Sequence, residues 1–241
     1  MSDWNPPVVE AWREAWQRVS ERGNAHFEKT LAGRTRRVYD NVAAIYPAST
    51  YFFHARAHEL AVELAGIEDG SRVLEIATGS GEMFRRLLQK NPKGMTLGVD
   101  LSPNMAAVTL GRVRREFPEH HAGLQAVDCR FMPFPDEAFD SVVACYLFEL
   151  LDDDDIERTF LEVKRVLRPG GRFTTILIGQ GAAFNQAYRV ATRVAPAFWG
   201  RQVTEMAPEL MTEIGFRLEH DIRLRQGFYP SRVVVARKRE A

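Results

Sequence analysis

Cysteine is scarce in this chain: two residues in 241, Cys129 and Cys145. They have no partners at ligand spacing, so they build neither a disulfide framework nor a zinc site, and they fit a reducing compartment. A charge surplus is also missing. Lysine plus arginine and aspartate plus glutamate each total 32, for a net charge of zero, so nothing in the bulk charge draws the chain to nucleic acid. No apolar run reaches the roughly 18 residues of a membrane-spanning helix. Met1 to Glu10, with Pro6-Pro7, lacks the basic-then-apolar pattern of a secretion leader. Internal repeats and low-complexity tracts are absent. These absences predict a cytoplasmic chain with one large core, to which 45% hydrophobic content is suited.

The texture of the chain changes once. Before residue 66 it reads as helix, without strand-like runs. Val8, Val9, Trp12, Trp16 and Val19 recur at helical spacing. Thr35 to Ile45 is expected to be a helix stopped near Pro47, and Ala55 to Ala65 another, closed by Gly66. From Arg72, strands and helices alternate. Strands are expected at 72–77, 95–100, 124–128, 141–146, 172–178, 216–224 and 232–236, with helices at 82–89, 103–117, 155–167 and 204–214. Ser102-Pro103 supplies a cap and a first-turn proline. This alternation predicts a doubly wound, seven-stranded, mostly parallel α/β sheet of Rossmann-like form, with the last two strands as an antiparallel hairpin at one edge. The division expected is a helical extension or lid over 1–66 and a core over 67–241 carrying an insertion at 180–200.

The chemistry gathers where such a sheet binds ligands, at the carboxyl ends of its strands. Val73 to Ile76 reads as a buried strand, followed by Ala77-Thr78-Gly79-Ser80-Gly81 and a helix start. Glycines let backbone N–H groups approach a ligand. Asp100 ends the next apolar run and can grip a ribose; Asp128 ends the one after. A dinucleotide turn needs a small residue where Phe84 stands, which argues against NAD or FAD.

In this order the motifs resemble the class I S-adenosylmethionine-dependent methyltransferases, in the quinone- and lipid-type branch, over roughly Val38 to Phe173. Val73 to Gly81 is similar to the segment that contacts the methionine part of the cofactor, which implicates Glu75, Ala77, Thr78, Gly79 and Gly81. Gly98 to Met105 is similar to the segment whose acid, here Asp100, takes both ribose hydroxyls, with Leu101 and Met105 flanking the adenine. Val127 to Phe134 is similar to the adenine-reading motif, with Asp128 accepting from the exocyclic amine and Cys129 beside it. Phe139 to Tyr146 resembles the fourth strand, ending at Cys145, and Leu167 to Phe173 the turn into the fifth. Tyr46 matches a tyrosine laid over the cofactor better than Tyr39 does. Two residues depart from the family pattern. Ala77 replaces a glycine, which is tolerable at negative φ in a slightly tighter pocket. Glu149 stands where many relatives carry histidine.

The resemblance implies S-adenosyl-L-methionine as cofactor and methyl transfer to a small or amphipathic acceptor, such as a lipid, a phospholipid headgroup or a quinone-like ring. Candidate catalytic residues are Tyr46, Glu149 and Tyr146, with His54 and His58 nearby. Phe184, Tyr188, Phe198 and Trp199 suggest an apolar acceptor pocket. A non-catalytic cofactor-binding module and a nucleotide-cofactor oxidoreductase stay open as alternatives. Asp152 to Asp155 reads as a solvated loop and helix cap, and no metal is expected. His120-His121 reads as loop. The N-terminal helix with Trp12, Trp16 and Arg13 reads as a lid or a dimer contact, with peripheral membrane contact as the rival, so monomer and homodimer both stay open.

Overall fold

The structure, a computed structural model, describes residues 47–179, 203–225 and 230–240, with side chains from residue 55. The expectations for Tyr39, Tyr46, the N-terminal tryptophans, the Thr35–Ile45 helix and the 180–200 insertion lie outside the described residues, as does the His54 side chain.

In chain order the elements are α1 (Pro47–Leu64), β1 (Arg72–Ile76), α2 (Glu82–Lys90), β2 (Met95–Asp100), α3 (Pro103–Glu116), β3 (His121–Ala126), β4 (Phe139–Cys145), a 3-10 turn (Phe148–Leu150), α4 (Asp153–Val166), β5 (Leu167–Ile178), α5 (Met206–Ile214), β6 (Phe216–Leu224) and β7 (Ser231–Lys238). The sheet has seven strands in the order β3-β2-β1-β4-β5-β7-β6. Strands β1 to β5 pair in parallel, and β7 is antiparallel to both β5 and β6. The expected hairpin is present, with β7 inserted beside β5 and β6 left at the edge. The chain reverses its winding at β1, between β2 and β4. That switch point is where the strand tips open into a crevice.

Helices cover both faces, and so β1 and β4 are apolar on both sides. On one face Leu74, Ile76, Val142 and Ala144 pack with Phe148, Phe160, Phe173 and Phe216, all fully buried. The Phe148 and Phe160 rings lie 4.5 Å apart between centroids. On the other face Ala57, Ala61 and Ala65 lay α1 against Val73, Val143, Ile176, Val233 and Val235. The small alanine side chains let that helix lie close to the sheet. A third cluster, Phe84, Leu88, Val113 and Leu124, joins α2 and α3 to β3.

Several boundaries move. The helix expected from Ala55 begins at Pro47, where the missing proline N–H is no loss. β3 runs from His121 rather than from Leu124 and stops at Ala126, so His121 is an exposed strand residue, while His120 packs edge-on against Phe117. α4 starts at Asp153, because Asp152 caps it by accepting from Asp155 N at 3.0 Å. Ser102 caps α3 as expected, accepting from Met105 N at 3.1 Å. No helix among the described residues is long and apolar enough to cross a membrane.

Candidate functional site

The turn after β1 is held from below. Thr78 N donates to Val99 O (3.2 Å) and Gly81 N to Thr78 O (2.9 Å), which ties the turn to the tip of β2. Its two glycines serve different ends. A Cβ on Gly79 (φ 49°) would meet nothing nearer than Ala77 O at 4.0 Å, so this backbone faces open space. A Cβ on Gly81 (φ 78°) would strike the Thr109 side chain of α3. Thr109 Oγ1 in turn donates to Gly79 O at 2.9 Å. Gly81 therefore allows helix packing, while Gly79 presents backbone outward.

Ala77 is a correction. The expectation of a harmless alanine required negative φ, but Ala77 sits at φ 59°. The chain must turn left-handed as it leaves β1, and there the alanine Cβ crowds the following carbonyl, at a cost of roughly 1 kcal/mol relative to glycine.

Asp100 is the hub of the turn. Its Oδ2 accepts from Gly79 N at 2.7 Å and its Oδ1 from Ser102 N at 2.9 Å. Its own backbone carbonyl accepts from Val127 N at 2.9 Å, which draws the Asp128 segment alongside. Gly79, Asp100 and Asp128 thus meet at neighbouring strand tips. Leu101 is half-buried and Met105 buried at the entry to α3. Phe84 is accommodated because β2 carries Gly98 beneath it; a Cβ there would lie 3.0 Å from the ring.

Asp128 has a partner the sequence reading missed. Arg130 Nε donates to Asp128 Oδ1 (2.9 Å), Arg130 Nη2 to Oδ2 (2.5 Å) and Arg130 N to Oδ1 (3.0 Å). Arg130 Nη1 reaches on to Asp155 Oδ2 at 2.6 Å. All three side chains are at most 9% exposed. Burial works against the guanidinium charge, but the two aspartates more than offset it and raise its hold on the proton. The last residue of the four-aspartate run is therefore a buried clip rather than a solvated residue. Its signal in the sequence was an arginine two residues past the strand-tip acid. Beside it, Cys129 Sγ lies 3.8 Å from Thr159 Oγ1, and burial, then Asp128, push its thiol up to about 12.

The remaining predicted residues line the tips of β1 and β4. Glu75 is buried, with Oε2 lacking any hydrogen-bond partner among the described residues. Burial and then Asp100 hold its carboxyl well above the usual range. The Thr78 hydroxyl is also buried and unpartnered among the described residues. Cys145 is half-buried, its thiol raised by burial and then by Glu75 and Glu149. Tyr146, at φ 53°, exchanges a hydrogen bond with Ser231 Oγ at 2.8 Å and lies 6.3 Å from the His58 ring. Glu149 accepts from Ile178 N through Oε1 at 2.6 Å, and its buried Oε2 has no partner among the described residues. Burial, only partly offset by the Ile178 N–H, raises its carboxyl to about 7. Among the described residues, no group of three potential metal ligands is assembled.

A profile of the methyltransferase domain family matches residues 73–171. The chain is similar to the 2-phytyl-1,4-naphtoquinone methyltransferase of Trichormus variabilis, 26% identical over 59% of this chain and 63% of that one. It is similar to the ubiquinone/menaquinone biosynthesis C-methyltransferase of Cellvibrio japonicus, 27% identical over 78% of this chain and 80% of that one. Among solved structures the (4+2)-cyclase SpnF superposes with a TM-score of 0.72 at 17% identity, over 86% of this chain and 97% of that one. This last likeness is one of fold.

Proposed function

We infer the reaction from a family premise: this chain belongs to the class I S-adenosylmethionine-dependent methyltransferases, in the quinone-type branch. Its function, on this reading, is methyl transfer from S-adenosylmethionine to a small amphipathic acceptor with a quinone-like ring. The observation that carries the cofactor's part is the Gly79–Asp100 joint, where a 2.7 Å bond fixes the turn while the outer face of Gly79 stays open. The residues present fit the group. Gly79 offers close backbone approach, Asp100 an acidic grip for a ribose, and Glu75 a buried oxygen still lacking a donor among the described residues.

Bound there, the cofactor supplies a methyl group already activated on a sulfonium. The protein's task is to bind, orient and exclude water. Glu75, Ala77, Thr78 and Gly79 would hold the methionine end, and Asp100 the ribose. Leu101 and Met105 would flank the adenine, Asp128 and Cys129 would read it, Cys145 would border the methyl end, and Tyr46 would cover the cofactor. The acceptor would enter from the β4 side, past Tyr146. The quinone-ring acceptor rests on the names of the two relatives.

Calorimetry tests the site. Asp100→Ala should weaken S-adenosylmethionine binding about 100-fold, the equivalent of losing one or two hydrogen bonds to a charged group. Unchanged affinity in a folded variant would refute the assignment. Release of S-adenosylhomocysteine with reduced naphthoquinones, set against phospholipids, tests the acceptor class.

A further inference from the structure

Strand β4 is followed at once by a backbone outlier. Tyr146, the residue after Cys145, holds φ 53°, where an L side chain is crowded by its own carbonyl and glycine is the usual occupant. Such a conformation persists where the surroundings over-determine it, and it clusters at ligand-binding positions. The restraints are visible. Tyr146 N donates to Ile176 O of β5 at 2.8 Å, which fixes the backbone. The side chain packs against the apolar cluster beneath α1, and its ring lies 6.3 Å from the His58 ring, tilted by 49°. The hydroxyl shares a 2.8 Å hydrogen bond with Ser231 Oγ at the start of β7, 85 residues further on. Ser231 is itself a fixed post, 1% exposed and opposite Ile178 in the β5–β7 ladder. Before it, Pro230 O accepts from Gly179 N at 2.7 Å, and a Cβ on Gly179 would meet the Pro230 carbonyl carbon at 2.9 Å, so the two segments touch backbone to backbone. After it, Arg232 grips Asp221 of β6 with two bonds of 2.6 Å.

For all these restraints Tyr146 is only half-buried. Part of the residue stays open at the carboxyl end of β4, beside β1, where the sheet reverses its winding and its crevice lies. Gly79, Asp100 and Asp128 mark the other side of β1 for the adenosyl half of the cofactor, which leaves the β4 side to the acceptor. An aromatic ring gains its extra attraction from offset-stacked or edge-to-face contact with another aromatic ring, which a saturated ring does not reproduce. Resting on the methyl-transfer reading above, we propose that Tyr146 is a fixed aromatic platform that selects a flat, conjugated acceptor ring, and that Ser231 is the positioning residue that holds it. Ser231 touches no substrate in this arrangement; it acts through the tyrosine hydroxyl. The strain at φ 53° is the cost of turning the ring off the strand axis and onto that post.

Calorimetric binding to the full chain saturated with S-adenosylhomocysteine tests this with a matched pair of probes, 1-naphthol and its saturated counterpart decahydro-1-naphthol. Tyr146→Leu keeps apolar bulk but no aromatic face. It should weaken 1-naphthol about fivefold, the worth of one aromatic contact, and leave the saturated probe nearly unaffected. Tyr146→Phe keeps the ring and loses the tether. That variant and Ser231→Ala should each weaken 1-naphthol about threefold, and the double variant no further, because both changes remove the same bond. S-adenosylhomocysteine affinity should stay at the wild-type value throughout. Equal loss of both probes in Tyr146→Leu overturns the inference, by making the residue a plain apolar wall. A matching loss of S-adenosylhomocysteine affinity overturns it by placing Tyr146 in the cofactor site, and full additivity in the double variant removes the role of Ser231. A wild type that binds S-adenosylhomocysteine but not 1-naphthol overturns the platform and leaves the cofactor assignment standing. Failure to bind S-adenosylhomocysteine at all would remove the methyl-transfer reading itself. If Tyr146→Leu does not fold, Tyr146→Phe and Ser231→Ala still decide.

Discussion

At the tip of β1 one methyl group works against the backbone. Ala77 holds φ 59°, a conformation glycine adopts without steric cost. Ala77→Gly should therefore stabilise the protein by about 1 kcal/mol, less the extra freedom gained by the unfolded chain. In a domain of this size that is a rise in melting temperature of about 2–4 °C. Calorimetric melting of the two proteins checks it, and a lower melting temperature in the glycine variant would show that the alanine methyl contributes more by packing than it costs in strain. The residue type at 77 was plain in the sequence, but its φ was not, because the sign depends on how β1 leaves the sheet. Asp100 was more legible, since a strand-end acid after a glycine turn has few other places to point. Glu149 was legible as a departure from the family pattern. Its anchorage on Ile178 N could not be read, because that bond joins residues 29 apart in the chain.

Among the elements, one contact ties the β3 exit to α4. Arg130 bridges Asp128, just past β3, to Asp155 in the first turn of α4. Removing one partner from a buried ion cluster leaves uncompensated charge, commonly costing 3–5 kcal/mol. Arg130→Met should lose about 3 kcal/mol of stability in urea unfolding and should weaken S-adenosylmethionine binding, because Asp128 would no longer be aimed. A loss below about 1 kcal/mol would mean that solvent reaches the cluster and screens it. The strands that form the switch point were visible as elements because each is buried on both faces and bounded by turn residues. Their ends were less visible. β5 begins at Leu167, as Phe139 pairs with Leu167 ahead of a register shift at Ser141, and no local propensity encodes that pairing. α1 begins at Pro47, ahead of the expected Ala55, because a proline is suited to the first turn of a helix as well as to its end.

For the molecule as a whole, the sheet order divides labour about β1. The β2 and β3 tips present the Asp100 and Asp128 side, and the β4 and β5 tips gather Glu149, Cys145 and Tyr146. The second side carries a cost to global stability that depends on pH. Burial raises the folded-state carboxyl of Glu149 from its ordinary 4.5 to about 7. Below about pH 4.5 the group is protonated in both states and costs nothing through ionisation. Between the two values the unfolded chain ionises while the folded protein keeps its proton, so stability falls as pH rises. Above about pH 7 the penalty stays constant, at about 3 kcal/mol from about 1.4 kcal/mol per unit. Glu149→Gln removes this dependence. The difference in unfolding free energy, variant minus wild type, should therefore climb between about pH 4.5 and 7 and level off beyond; other titrating groups largely cancel in the subtraction. Urea titrations across that range measure it, and a flat difference would mean that the group titrates as if solvated.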